Sequence, residues 1–364
     1  MPPRRVLVLG ASYGSLLASK LLLAGHEVTL VCLPAEADLI NREGTRVLMP
    51  VRGRAERVVI DSREAPGRLS ADVPDAVDPT GYDLVALAMQ EPQYRAEGVR
   101  GLLARVGDAA VPTMSIMNMP PLPYLARIPG VDPDACRNCY ADASVWDVID
   151  PALLTMCSPD PQAVRPPDED DNVLLVRLPT NFKVAPFAAD HHTAILRDLE
   201  AGVDDVRLRG ADGTEIELPV KLRVRESVFV PLAKWSMLLA GNYRCIGHDG
   251  PRAIREAVHA DPAAARAVYD WVRALCVDLG ASEDDLVPFE KYAAAAEGLA
   301  NPSSVARAVF AGAPSVERVD RLVQTIAAGR GKALGRRGRD RRVPRQQTRG
   351  QRRGRRVGRH GVGA

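Results

Sequence analysis

The clearest pattern in the chain lies in its first thirty-odd residues. Arg5–Leu9 (RVLVL) is a short β-branched apolar run, as expected of a strand buried on both faces. A glycine turn, Gly10-Ala11-Ser12-Tyr13-Gly14-Ser15, follows it. Leu16–Ala24 is then apolar nearly all round, with Lys20 as the main exception, and Gly25 ends it. His26–Cys32 (HEVTLVC) reads as a second strand, so the opening segment is a βαβ unit. Asp83–Met89 and Ala110–Met117 predict two further buried strands, and Val173–Arg177 and Ile216–Val224 extend the strand-bearing region. From Glu226 onward the period changes to that of alanine-rich helices: Val228–Ala240, Ala253–His259, Ala263–Leu279, Leu286–Leu299, Val305–Ala311 and Val316–Ala328. Asp261-Pro262, Asn301-Pro302 and Pro314-Ser315 have helix-start chemistry, while Gly280 and Gly312 stand where helices should stop. The pattern predicts an α/β protein: a doubly wound N-terminal domain over 1–224, then an all-helical domain over 225–330. No internal repeat is visible.

Composition changes this picture at one end only. The 364 residues are 46% hydrophobic, enough for large cores, which excludes wholesale disorder. The formal net charge is +2, but Arg330–Ala364 holds fourteen basic residues against the single acid Asp340, which leaves residues 1–329 at −11. The Arg/Gly-rich stretch 331–364 has no periodicity and reads as a disordered tail. It lacks the interleaved aromatics of a base-stacking segment, which argues against a nucleic-acid partner. Its abrupt Arg/Gly/Val repetition resembles a GC-rich gene read out of frame. No run approaches the ~18 apolar residues of a membrane span, and the apolar start is too short for a signal peptide, so the expected location is cytoplasmic. Six irregularly spaced cysteines argue against a disulfide framework.

The glycine turn carries the first chemical signal. Between a strand and a helix, such a turn lets backbone approach a pyrophosphate whose charge rests on the helix N-terminus. Of the three fingerprint positions, Gly10 is kept while Ser12 and Ser15 replace the other two, with an extra glycine at Gly14. Dinucleotide binding is the expectation, through Gly10, Ser12, Tyr13, Gly14 and Ser15. A tight turn without nucleotide is the plainer alternative. The second strand ends Cys32-Leu33-Pro34, with neither the acid that selects NAD nor the arginine that selects NADP; Glu36, Asp38 and Arg42 follow. This leaves the choice of cofactor open.

In VFVPLAKWSMLLAGNYRCI, Lys234, Leu238 and Asn242 share one helical stripe, drifting only about 40° per step. A lysine and an asparagine on one face suggest a polar island at a cleft. A snorkelling lysine and a surface asparagine are the simpler reading. Asn301-Pro302-Ser303-Ser304 is a helix start with asparagine at the N-cap, also suited to a carboxylate ligand. Glu317 falls in the expected first turn of the last helix, where an acid suits the macrodipole.

Taken together, over about residues 4–328, these features resemble the ketopantoate reductase (2-dehydropantoate 2-reductase) family. The resemblance rests on the βαβ start, the asparagine closing SIMNM, the lysine-to-asparagine helix, N-P-S-S and VERVD. It implies a Rossmann-type domain followed by a helical one, with the active site between them. It also implies reduction of a 2-keto acid by NADPH, with NAD not excluded, and ketopantoate as the leading substrate. Lys234 falls on the family's catalytic lysine and Asn118 on the asparagine beside the nicotinamide that helps hold it. Asn242, Asn301 and Ser304 fall on substrate-binding positions, and Glu317 on the glutamate that binds the substrate hydroxyl. A homodimer is compatible with this reading. The sequence departs from the family at Leu238, where asparagine is common, in the glycine turn, and in the long Pro/Asp-rich segment 119–172. A reductase of another 2-keto acid and a non-catalytic nucleotide-binding protein of the same fold are the alternatives.

Cys136-Arg137-Asn138-Cys139 has the C-x-x-C spacing but no second ligand pair, so two inert thiols are expected and no metal site. His248, in the turn Gly247–Gly250, is expected to serve the turn.

Overall fold

In the computed structural model, residues 2–210 and 213–332 are described; of the Arg/Gly tail expected to be disordered, 333–364 lie outside them, while Lys332 is described and pairs with Asp278 (2.6 Å). Among the described residues, fourteen strands run in chain order: β1 (Arg5–Leu9), β2 (Glu27–Val31), β3 (Arg46–Met49), β4 (Val58–Asp61), β5 (Arg68–Asp72), β6 (Leu84–Leu87) and β7 (Thr113–Ile116), then β8 (Leu154–Ser158), β9 (Gln162–Val164), β10 (Val173–Leu178), β11 (Phe182–Val184), β12 (Arg207–Arg209), β13 (Glu215–Glu217) and β14 (Leu222–Val224). Eight of them form one sheet in the order β14-β11-β8-β7-β6-β1-β2-β5. The strands from β5 to β8 are parallel, and β11 is antiparallel to β8. A second sheet, β4-β3-β10-β9, and the hairpin β12-β13 complete the strands.

The central strands explain the continuous apolar runs in the sequence. Side chains alternate between faces. Leu7, Leu9, Val85 and Leu87 enter one core, and Val6, Val8, Leu84 and Ala86 enter the other. The second core is closed by the helix Ala11–Leu23, by Leu196, Leu199 and Val203 of the helix Asp190–Asp205, and by residues of the small sheet such as Val47, Ile60 and Leu174. The first core takes in the helices Pro262–Asp278 and Val319–Gly329, through Val272, Leu275, Leu322 and Val323. Among the described residues no strand follows β14, and the elements from Val230 to Gly329 are helical, as the pattern predicted. This helical part has a small core of its own around Tyr269, Phe289 and Tyr292, but it also shares the sheet's.

Several local expectations are corrected. The strand expected over 216–224 is two strands, broken where Pro219 supplies no N–H and Val220 takes φ +63°. The expected helix 228–240 is a continuous but irregular run: a 3₁₀ turn at Val230–Ala233, α at Lys234–Met237, a π turn at Leu238–Asn242 and 3₁₀ at Tyr243–Cys245. Asn301 is not an N-cap. The helix begins at Ser304, and Ser303 caps it by accepting from Ala306 N (3.2 Å) while donating to Asn242 O (2.7 Å). That second bond reaches across the fold, so local chemistry alone could not assign it. The last helix starts at Val319, leaving Glu317 ahead of it rather than in its first turn.

Lys20 is fully buried; its ammonium donates to Pro219 O (3.1 Å), and burial lowers its pKa to about 7. No helix among the described residues is long and apolar enough to cross a membrane.

Candidate active site

The strand order reverses between β1 and β6: the chain runs outward through β2 and β5, then returns to the other side of β1. In open α/β sheets the crevice at the carboxyl ends of such strands is where ligands bind. Gly10 ends β1 there at φ +103°, and a Cβ on it would come within 2.5 Å of Met89 Cγ and 3.1 Å of Ala88 O, just past β6. The turn therefore needs glycine for its conformation and for close approach. Gly14 serves packing: a Cβ would lie 2.6 Å from Val8 Cγ1 of β1. The helix Ala11–Leu23 has no side-chain cap, so its first N–H groups are left for another acceptor. Ser12 is exposed beside them, whereas buried Ser15 donates its hydroxyl back to Ala11 O. Tyr13 donates to Pro161 O (2.7 Å) and packs edge-on against Phe182. Of the predicted turn residues, then, Gly10 forms the turn and Ser12 is exposed, while Tyr13, Gly14 and Ser15 are engaged within the protein.

A cleft adjoins this crevice, at the ends of β6 and β7. It is lined by Gln90, Asn118, Leu238, Asn242, Tyr243, Ser304, Val305, Val316 and Glu317. Four predicted site residues meet here from three distant parts of the chain: Asn118, Asn242, Ser304 and Glu317. Asn118 Nδ2 donates to Glu317 Oε2 (3.2 Å), and Glu91 N donates to Glu317 Oε1 (3.3 Å). Tyr243 fixes the backbone of that segment, donating to Glu317 O (2.6 Å) and accepting from Val319 N (3.0 Å). Burial pushes the Glu317 carboxyl up, and the bonds from Asn118 and Glu91 N together with the nearby Lys234 charge offset part of this. Asn118 Oδ1 is buried without a partner, an acceptor still open beside the cleft.

Lys234 is oriented by a segment that the sequence reading left without a role. Its ammonium donates to Pro159 O and lies 3.6 Å from Asp160 Oδ1. Asp160 is also paired with Lys183 (3.0 Å) and accepts from Ser158. Burial pushes Asp160 up, but Lys234 and Lys183 outweigh it and hold the carboxyl below its usual range. Burial likewise lowers the Lys234 pKa, and Asp160 restores part of the loss. The resemblance pairs Asn118 with the lysine; here Asn118 bonds Glu317 instead. The π turn contributes to the arrangement. Its i→i+5 bonding departs from the 3.6-residue period, so Leu238 and Asn242 line the cleft while the Lys234 ammonium is held at Pro159 and Asp160. Asn301 is exposed and does not line the cleft; its carbonyl accepts from Ile254 N (3.1 Å).

Glu91 also escaped the sequence reading. It is 2% exposed, accepts from Ala141 N (3.1 and 3.3 Å), and is raised to about 7 chiefly by burial. It opens the short 3₁₀ turn Glu91–Arg95, just past β6, whose capping box joins Gln90 and Gln93. Cys136 and Cys139 are buried free thiols; burial raises both, Cys136 to about 12, and Cys139 contacts Thr325 Oγ1 (3.4 Å). Among the described residues no group of three or more His, Cys, Asp and Glu could hold a metal. His248 is fully exposed in its turn, 3.6 Å from Asp249.

The fold defines a class: a doubly wound α/β sheet followed by a helical part that shares its core. Solved structures narrow this to one fold. A probable 2-dehydropantoate 2-reductase from Bacillus subtilis is 16% identical, with a TM-score of 0.56 over 90% of this chain and 94% of that one. A dimeric ketopantoate reductase from Staphylococcus aureus is 11% identical, with a TM-score of 0.54 over 90% and 93%. D-mandelate dehydrogenase, solved with NADH, is 12% identical, with a TM-score of 0.52 over 90% and 93%. The chain thus has the ketopantoate reductase fold, which the D-mandelate dehydrogenase shares. No protein-family model and no curated protein matches it.

Proposed function

We propose that the protein reduces a 2-keto acid with NAD(P)H, that 2-dehydropantoate is the leading substrate and D-pantoate the product, and that this serves pantothenate biosynthesis. The observation that carries this reading is the convergence of Asn118, Asn242, Ser304 and Glu317 on one cleft beside the Gly10 turn.

The residues fit a dinucleotide. The Gly10 cradle, the uncapped helix start and Ser12 suit a pyrophosphate, and the unpartnered Asn118 Oδ1 suits a carboxamide N–H. When bound, the cofactor supplies hydride to the ketone carbon. Lys234 acts as general acid, giving its proton to the ketone oxygen, and its ammonium stabilises the negative charge that develops there. Asp160 keeps that ammonium charged against the cost of burial. Asn242 and Ser304 hold the substrate carboxylate end, and Glu317, fixed by Asn118 and Glu91 N, accepts from the substrate hydroxyl. Asn301 belongs to this set through the resemblance alone. The Staphylococcus aureus relative supports a homodimer, and a cytoplasmic location fits the enzyme reading.

The test is NAD(P)H oxidation over a panel of 2-keto acids, with Lys234→Ala alongside. Turnover should fall by roughly 10²–10⁴-fold in the variant while cofactor affinity changes little. A variant with near wild-type turnover refutes the role of Lys234. No oxidation with any 2-keto acid favours the non-catalytic reading.

A further inference from the structure

We infer that an ion pair at the end of β2, Glu36 with Arg165, chooses the cofactor, and that it favours NADH over NADPH. This rests on the reading that the crevice takes a nicotinamide dinucleotide.

In folds of this kind the adenosine ribose lies at the end of the second strand, where an acid accepts from the 2′-hydroxyl or an arginine holds a 2′-phosphate. The sequence after β2, Cys32-Leu33-Pro34, provides neither. Tertiary structure provides both. Glu36 stands in the first turn of the helix Pro34–Glu43. Arg165, 129 residues further on and directly after β9, reaches back to pair with it. The two side chains are 12% and 28% exposed. Arg165 also lies 3.6 Å from Asp171. The charges that bear on the Cys32 thiol at this strand end are Arg165 and Asp72. Arg42, the basic residue on the same helix, is tied to Glu43 (2.9 Å).

Arg165 is therefore committed before any ligand arrives. Its charge is balanced by Glu36, with Asp171 and Asp72 adding negative potential. A ribose 2′-hydroxyl suits this arrangement, because a Glu36 oxygen can accept from it without losing Arg165. A 2′-phosphate does not, because it must take Arg165 from Glu36 and leave a largely buried carboxylate unpaired beside two new negative charges. Such a built-in repulsion rejects one ligand while costing the other little.

The experiment titrates the full chain with NADH and NADPH, and with the redox-inert pair ADP-ribose and 2′-phospho-ADP-ribose, by calorimetry. NADH should bind at least ~10-fold more tightly than NADPH, with the same order in the inert pair. Glu36→Gln should bring the two within ~3-fold or reverse them, by weakening the hydroxyl contact and freeing Arg165 for phosphate. Tighter NADPH binding by the native chain overturns the inference, and this arm needs no variant to fold. A folded Glu36→Gln protein with an unchanged ratio also overturns it. If none of the four ligands binds, the nucleotide reading fails and the inference falls with it.

Discussion

Asp160→Asn removes one charge from the Lys234 site and leaves its shape nearly intact. Asp160 lies 3.6 Å from Lys234 and 3.0 Å from Lys183. Two unit charges 3.6 Å apart interact by roughly 4–5 kcal/mol at an effective dielectric of ~20. Sharing with Lys183, together with the water that reaches side chains 17–18% exposed, discounts this by about half, to ~2 kcal/mol. That changes the ammonium-to-amine ratio of Lys234 by roughly 30-fold. The sign follows from the chemistry: losing the carboxylate disfavours the charged form, so Lys234 gives up its proton at lower pH. The basic limb of the kcat profile should therefore move down in pH. Above the limb the loss should be roughly 30-fold, and well below it the variant should approach the native rate. Lys183→Met, which removes a like charge near Lys234, should move the same limb upward. The assay is kcat against pH for the best keto acid of the panel, with thermal melts to establish that both variants are folded. A uniform loss at every pH, or a limb that stays put in both variants, refutes the argument that Asp160 acts through the charge state of Lys234.

Three further outcomes are expected. Burial raises the Glu317 carboxyl above its unfolded value, so native stability falls as pH rises from that unfolded value through the folded one; Glu317→Gln should raise the melting temperature at pH 8 while impairing turnover. Glu91, raised to about 7, should lose roughly 3 kcal/mol of its contribution as pH rises from about 4.5 past 7, and Glu91→Gln, which can still accept from Ala141 N, should flatten that slope in denaturant titrations at pH 5 and 8. Gly14→Ala should cost about 1–3 kcal/mol, because its Cβ would lie 2.6 Å from Val8 Cγ1; a double-mutant cycle with Val8→Ala should show favourable coupling, and additive losses would place the strain elsewhere.

Much of the scaffold was legible because its signals are local. RVLVL, the glycine turn and the following apolar run are one buried βαβ unit, and burial on both faces forces a continuous apolar pattern that periodicity detects. Strands β3, β4, β5, β8, β9, β11 and β12 were not predicted. They are three to five residues long, and most lie at a sheet edge or in the small sheets, where a half-polar pattern looks like loop. The break at Val220 is of the same kind: a β-branched residue reads as strand, yet here it is held left-handed between two short strands.

The site divides along the same line. Residue identity and order along the chain were enough to single out Asn118, Lys234, Asn242, Ser304 and Glu317, through a resemblance that rests on motifs. Their partners were not accessible that way. Asp160 reaches Lys234 across more than seventy residues, Arg165 reaches Glu36 across 129, and Tyr243 pins Glu317 through backbone atoms. Periodicity and capping rules act within a few residues, because they reflect hydrogen bonds and steric contacts between neighbours. Which distant charge enters a buried site depends on how sheet edge, helices and connecting segments pack. That packing decides where Lys234 points, what keeps it charged and which cation stands at the end of β2.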